Sequence, residues 1–184
     1  ILAGDALLNL AFETAAGAFD METSPRTAKA LQILSGKAGI YGMIGGQVVD
    51  VESEGQPLSR EKLDFIYRLK TSALIEAAMM VGAVLAGASD EEVAAMERVA
   101  GDVGLAFQIQ DDILDVTSTL EVLGKPIHSD DKNHKTTYVS LEGLDKAKKD
   151  VEEISERALS TLASLNHKNA FLEELIRMLI TREK

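Results

Sequence analysis

Residues 107–115, FQIQDDILD, set three aspartates and a glutamine inside an otherwise apolar run. Placed on a helix at about 100° per residue, Gln108, Asp111, Asp112 and Asp115 share an arc of about 100° and form one polar stripe. Each ionised pair so close repels by roughly 1–3 kcal/mol at an effective dielectric near 20. No lysine stands four residues from any of the three to balance that repulsion. Two readings compete: the stripe is the solvated face of an amphipathic helix, or a divalent cation sits among the carboxylates. Leu105, Ile109 and Ile113 on one side, with Phe107 and Leu114 on the other, make this a buried helix whose carboxylates aim inward or into a cleft, which favours the cation. Hard carboxylate oxygens suit Mg²⁺, with Mn²⁺ as the alternative; Mg²⁺ uses one or two carboxylates, keeps waters and is completed by substrate phosphates. Asp111, Asp112 and Asp115 are the candidate metal ligands, and a phosphate-bearing substrate is expected.

Two more polar residues fall where a helical wheel puts apolar ones. Lys70, in FIYRLKTSALIEAAMM, has Leu63, Ile66, Tyr67, Ala73, Leu74 and Ala77 within about 60° of it. Its stem can snorkel to solvent, or its ammonium requires an anionic partner, which a diphosphate would supply. Gln47, in GMIGGQVVD, shares a face with Ile40, Met43, Ile44 and Val51, and Asp50 follows close behind. Either neighbouring backbone satisfies Gln47 or a ligand does. Gly45 and Gly46 permit close approach of another helix or a ligand, at a cost of up to ~1 kcal/mol each in helix stability. Residues 121–137, EVLGKPIHSDDKNHKTT, make a long loop for a helical domain, and such loops are functional more often than idle. Lys125, Lys132 and Lys135, with Asp130 and Asp131 among them, can close over phosphates just past the stripe; a solvated loop would carry the same charges. His128 and His134 lack a third histidine nearby and the stripe offers only oxygen, so zinc is disfavoured.

The elements that must position these residues are helices. Pro25, Pro57 and Pro126 lie in polar stretches and punctuate helices predicted, to within ~2–4 residues, over about 1–19, 26–51, 59–85, 90–120, 138–162 and from 168 onward. SEGQPLSREKL and GASDEEVAAM each supply a capping serine or aspartate with an acidic residue soon after. No strand pattern competes and no repeat is present. At 184 residues, 46% of them hydrophobic, a single all-α domain over 1–184 is expected. The absence of cysteine excludes disulfides, thiolate metal sites and thiol redox chemistry, and fits a reducing compartment such as the cytoplasm. A formal net charge of −11 argues against nucleic acid as a partner. The most apolar window, residues 73–88, is shorter than the ~20 residues of a membrane span and carries Glu76, so a chain that does not span a membrane is expected. The opening ILAGDALLNLAFE lacks the pattern of a signal peptide and begins a helix without its cap, so sequence preceding Ile1 is expected.

GGQVVD, KTSALIEAA, GLAFQIQDDILD and LGKPIHSDDKNHKTTYVSLEGL, in this order, resemble the trans-isoprenyl diphosphate synthases over nearly the whole chain. DDILD preceded by FQIQ resembles the second aspartate-rich motif of that family. GGQ followed by VESEG resembles the bacterial short-chain, farnesyl-type members, and AGDALLNLAFE resembles the segment that follows the first aspartate-rich motif. The resemblance implies an isoprenoid-synthase-type helical bundle around a central cavity, here N-terminally incomplete, and a cytoplasmic homodimer. It implies condensation of an allylic diphosphate, dimethylallyl or geranyl, with isopentenyl diphosphate to a short-chain product such as farnesyl diphosphate. Carried over residue by residue, Asp111, Asp112 and Asp115 would organise Mg²⁺ on the allylic diphosphate, with Asp111 the direct ligand, and Lys70 and Lys125 would contact that diphosphate. Thr71 and Gln108 match positions beside the reacting carbon, Phe107 would wall the pocket, Lys135 and Asp130 match the closing loop, and Gln47 and Asp50 would line the site.

The first aspartate-rich cluster and its paired arginines do not occur in these 184 residues. The resemblance then implies the C-terminal part of a longer enzyme, inactive alone. Two alternatives stay open: a catalytically silent helical subunit that partners an active synthase, and a terpene cyclase of the same fold, against which the Lys70-Thr71 pair and FQIQDD argue.

Overall fold

The computed structural model describes residues 1–118 and 135–182; Lys125, His128, Asp130, Asp131, Lys132 and His134 lie outside the described residues. Among the described residues there are ten α-helices, one π-helical turn and no strand. The helices are α1 (Leu2–Ala16), α2 (Ala18–Met21), α3 (Pro25–Ala38), α4 (Met43–Glu52), α5 (Arg60–Ile66), α6 (Ala73–Ala86), α7 (Asp90–Thr117), α8 (Tyr138–Glu142), α9 (Leu144–Ser164) and α10 (Ala170–Ile180), and the π turn Tyr67–Ser72 joins α5 to α6.

Helix starts follow the capping chemistry. Ser24 accepts from the Thr27 amide with Pro25 in the first turn, Ser59 accepts from the Lys62 amide, and Ser89 and Glu92 complete a reciprocal capping box, each satisfying amides that the helix leaves unpaired. Three of the helices expected from periodicity are broken, the first, over 1–19, at Gly17 between α1 and α2. The span 26–51 divides into α3 and α4 because the chain folds back on itself between Gly39 and Gly42: a Cβ on Gly42 would lie 1.9 Å from the Lys37 carbonyl oxygen, and one on Gly45 would lie 2.1 Å from that of Ile40. The span from 138 divides at Gly143, whose φ of 85° favours glycine.

Helix α7, 28 residues and about 42 Å long, is the axis of the bundle and packs against α6, the π turn, α8, α9 and α10. Its Val99, Val103, Ile109 and Ile113 join Leu63 and Ile66, Val151 and Ile154 of α9, and Ile176 of α10 in one apolar core, each such side chain contributing roughly 1.5–3 kcal/mol on burial. A smaller cluster of Ala30, Val84 and Val93 ties α3 and α6 to the start of α7. The aspartate stripe lies at the C-terminal end of this axis.

The helical rod Arg60–Ala86 is, by length and composition, long and apolar enough to cross a membrane, more so than the 73–88 window alone. Its Lys70 and Glu76 are ion-paired to Asp50 of α4 and Lys37 of α3, and it packs against α3, α4 and α7. Such cross-helix ion pairs are the setting of a bundle helix.

Candidate active site

The π turn carries Lys70 and Thr71 and is held between two glycines. A Cβ on Gly46 of α4 would fall 2.3 Å from the Lys70 backbone nitrogen, and one on Gly104 of α7 would fall 2.3 Å from Ser72 Oγ. The close approach expected at Gly46 is therefore made to the segment that bears Lys70. Lys70 Nζ lies 2.5 Å from Asp50 Oδ2, with its side chain 33% exposed, so the lysine stands at the edge of the core and not in its middle. A π turn bonds i to i+5 and advances less per residue than an α-helix, so a 100° wheel drawn through it misplaces every residue beyond the turn. The anionic partner that the ammonium requires is Asp50. On the other side of the turn, Thr71 Oγ1 donates to Gln108 Oε1 at 3.0 Å, joining two residues singled out from the sequence.

Gln47 is exposed, not turned into the core. Helix α4 begins only at Met43, so Ile40 does not share its face as a continuous helix would require. Gln47, Asp50, Leu58, Lys135 and Thr136 line a cleft of about 370 Å³, in whose wall the Leu58 amide donates to Thr136 Oγ1 at 3.2 Å. Two residues expected to bind substrate, Gln47 and Lys135, thus share one cleft with the partner of Lys70.

The three stripe carboxylates have different surroundings. The Asp111 side chain is 39% exposed, and its Oδ1 accepts from the Arg182 guanidinium at 3.0 Å. Arg182 also stacks 3.8 Å above the Phe107 ring, and its carbonyl accepts from Gln110 Nε2 at 3.2 Å. Asp112 is buried, and its Oδ2 accepts from Tyr67 Oη at 2.6 Å and from the Tyr138 amide at 2.7 Å. Asp115 is buried as well. Among the described residues no three acidic or histidine side chains converge as a ready-made metal cage. The donor set nonetheless fits Mg²⁺: it is all carboxylate oxygen, Asp111 already rests against a cation, and Mg²⁺ needs only one or two protein carboxylates.

No sequence pattern marks Arg182, Tyr67 or Tyr138 as site residues. Arg182 lies among the charged residues of TREK, and the two tyrosines carry one weak signal, being two of only three in the chain. Tyr138 donates to Asp150 Oδ2 at 2.6 Å beneath the Arg60 guanidinium, 4.1 Å from the ring centroid. Burial, reinforced by the bond to Asp150, holds the Tyr138 phenol well above its ordinary value against the pull of Arg60. A raised phenol stabilises the fold fully below the ordinary tyrosine pKa of about 10, and this stability is lost as pH rises through the folded value. Tyr138→Phe should therefore be less stable than wild type at pH 8, by about 1–3 kcal/mol, with the gap narrowing above pH ~10. Denaturant melts from pH 8 to 11 check this, and a constant gap would contradict it.

The family model for polyprenyl synthetase matches residues 1–175. The chain belongs to the polyprenyl synthetase family. It is similar to a dimethylallyltranstransferase of Fischerella ambigua, 43% identical over 99% of the chain and 53% of that protein. It is also similar to a chloroplastic geranylgeranyl pyrophosphate synthase of Catharanthus roseus, 40% identical over 92% of the chain and 48% of that protein. Among solved structures, a Helicobacter pylori geranyltransferase complexed with magnesium and isoprenyl diphosphate superposes with a TM-score of 0.81 at 35% identity, over 98% of this chain and 58% of that one. The chain thus spans about half the length of the curated relatives it matches. For a polyprenyl synthetase chain, the all-α bundle expected from the motifs is the fold found.

Proposed function

We propose that the protein carrying this chain is a prenyltransferase that condenses dimethylallyl or geranyl diphosphate with isopentenyl diphosphate into a short-chain product such as farnesyl diphosphate. The observation that carries the reading is the contact of Thr71 with Gln108 one turn before Asp111, with Lys70 on the adjacent residue. The allylic C–O bond breaks, the isopentenyl double bond supplies the electron pair of the new C–C bond, and the released diphosphate takes the proton that is lost. Mg²⁺, when bound, would stabilise negative charge on the departing diphosphate, and Asp111 would hold it. Lys70, leaving Asp50, and Lys135 across the 370 Å³ cleft pair with diphosphate oxygens; the same role for Lys125, outside the described residues, rests on the family resemblance alone. Thr71 and Gln108 present oxygen lone pairs towards the carbon where positive charge develops, and Phe107 walls the prenyl chain.

A homodimer belongs to the same proposal. Helix α1 buries none of its residues and exposes Leu2, Leu7 and Leu10, apolar surface that a second copy would cover. A cytoplasmic location rests on the cysteine-free composition. The test is incorporation of labelled isopentenyl diphosphate into prenyl product with Mg²⁺, using dimethylallyl and geranyl diphosphate in turn. Product is expected from the protein at the length of its relatives, and none from the 184-residue chain alone, which contains one aspartate cluster of the two. Failure of the longer protein to elongate either primer would refute the assignment.

A further inference from the structure

Asp112 is the more buried of the two adjacent aspartates that open the motif, and a single oxygen, Oδ2, accepts from Tyr67 Oη at 2.6 Å and from the Tyr138 amide at 2.7 Å. Asp112, Tyr67 and Tyr138 are 8%, 4% and 1% exposed. Tyr67 is the first residue of the π turn that carries Lys70 and Thr71. Tyr138 opens α8, directly after the capping residue Thr137 and three residues past Lys135. One carboxylate therefore meets three segments at once: α7 with Gln108 and Asp111, the π turn with Lys70 and Thr71, and the exit of the 121–137 stretch with Lys135.

We infer that Asp112 is a positioning residue and not a metal ligand: it clamps the π turn and the Lys135 segment onto the stripe helix, while Asp111 beside it meets the cation. This rests on the prenyltransferase reading for the role of the clamped residues, but the clamp itself is a matter of hydrogen bonding. Charge-assisted bonds to a buried carboxylate are short and directional, and an acceptor serving both a hydroxyl and a backbone amide fixes the spacing of the elements that supply them. Further out, Tyr138 is itself fixed by Asp150 and by Arg60, which pairs with Asp64 at 3.0 Å and Glu142 at 2.8 Å, so the clamp is braced through α5, α8 and α9.

The two roles separate in Asp112→Asn, whose amide oxygen still accepts from both donors but is a poor ligand for a hard cation. Mn²⁺ serves as the paramagnetic probe, titrated with inorganic diphosphate present. Asp112→Asn should bind Mn²⁺ within about twofold of wild type, whereas Asp111→Asn should bind it at least ~10-fold more weakly. In the active protein, Asp112→Leu should raise KM for the allylic diphosphate by more than Asp112→Asn does, because only the asparagine keeps an acceptor for both donors. Tyr67→Phe and Asp112→Asn should lower the melting temperature by less together than the sum of their separate effects. The Tyr138 amide should stay protected from hydrogen exchange in Asp112→Asn. Equal loss of Mn²⁺ affinity in Asp112→Asn and Asp111→Asn would overturn the inference, as would additive melting shifts, and both measurements stand if Asp112→Leu does not fold. If wild type binds no Mn²⁺, the metal reading of the proposed function falls, while the melting cycle and the Tyr138 exchange still decide the clamp.

Discussion

Asp111→Ala, introduced into the protein at the length that supports turnover, is expected to cut the condensation rate by roughly 100-fold or more, the scale on which losing one preorganised charge-stabilising group acts. Of the three stripe carboxylates, Asp111 is the one that combines substantial exposure with contact to a cation, the Arg182 guanidinium. On the proposed reading, Mg²⁺ bound at the stripe would lose its protein anchor without Asp111, and Arg182 loses the carboxylate that it pairs with beside Phe107. Both changes fall on the transition state, where negative charge gathers on the leaving group, so the loss should appear in kcat as well as in KM. Asp102→Ala provides the control. Asp102 belongs to the same helix and is held by Arg157 through two hydrogen bonds of 2.9 and 2.6 Å, but that pair lies on the outside of the bundle, where such pairs are worth about 0–1 kcal/mol. It should cost little stability and no activity. Near-normal turnover in Asp111→Ala, measured with labelled isopentenyl diphosphate, would remove Asp111 from the metal site.

How much of this site is legible in the sequence depends on whether the signal is local. The stripe on α7 is legible because one uninterrupted helix carries Gln108, Asp111, Asp112 and Asp115, and its capping box at Ser89 and Glu92 lies three residues apart. The wheel fails at Lys70 and Gln47 for a shared reason. Each lies at or just past a departure from α-helical winding, the π turn at Tyr67–Ser72 in one case and the fold-back at Gly39–Gly42 in the other, and a phase carried across such a point is wrong. The partners are less legible still. Arg182 reaches Asp111 across 71 residues and Tyr138 reaches Asp112 across 26, and no periodicity within either segment encodes a contact made only when the helices assemble. The resemblance singles out Asp111 as the direct ligand but gives Asp112 no role of its own. Its burial and its hydrogen bonds to Tyr67 and Tyr138 supply one.

Gly46→Ala and Gly104→Ala are expected to destabilise the fold and to lower activity together, although alanine is the better helix former. In an open helix the exchange would gain up to ~1 kcal/mol. At Gly46 the new Cβ would lie 2.3 Å from the Lys70 nitrogen and 2.8 Å from the Leu69 carbonyl carbon, and at Gly104 it would lie 2.3 Å from Ser72 Oγ and 2.7 Å from Ser72 Cα. These are largely backbone atoms of the π turn, which cannot swing aside as the tip of a long side chain would, so α4 or α7 must move away instead. Overpacking of this kind costs typically ~1–3 kcal/mol, which exceeds the gain in propensity. The displacement falls on the turn that sets Lys70 against Asp50 and Thr71 against Gln108, so activity should fall by more than the loss of folded protein explains. Gly36→Ala and Gly82→Ala test the sign. A Cβ at either position meets nothing within 4 Å, and both should gain roughly 0.5–1 kcal/mol. Thermal melts of the four variants, with turnover measured per folded molecule, separate the outcomes. If Gly46→Ala and Gly104→Ala were as stable and as active as Gly36→Ala and Gly82→Ala, the π turn would not be held by close backbone contact, and the placement of Lys70 and Thr71 would need another cause.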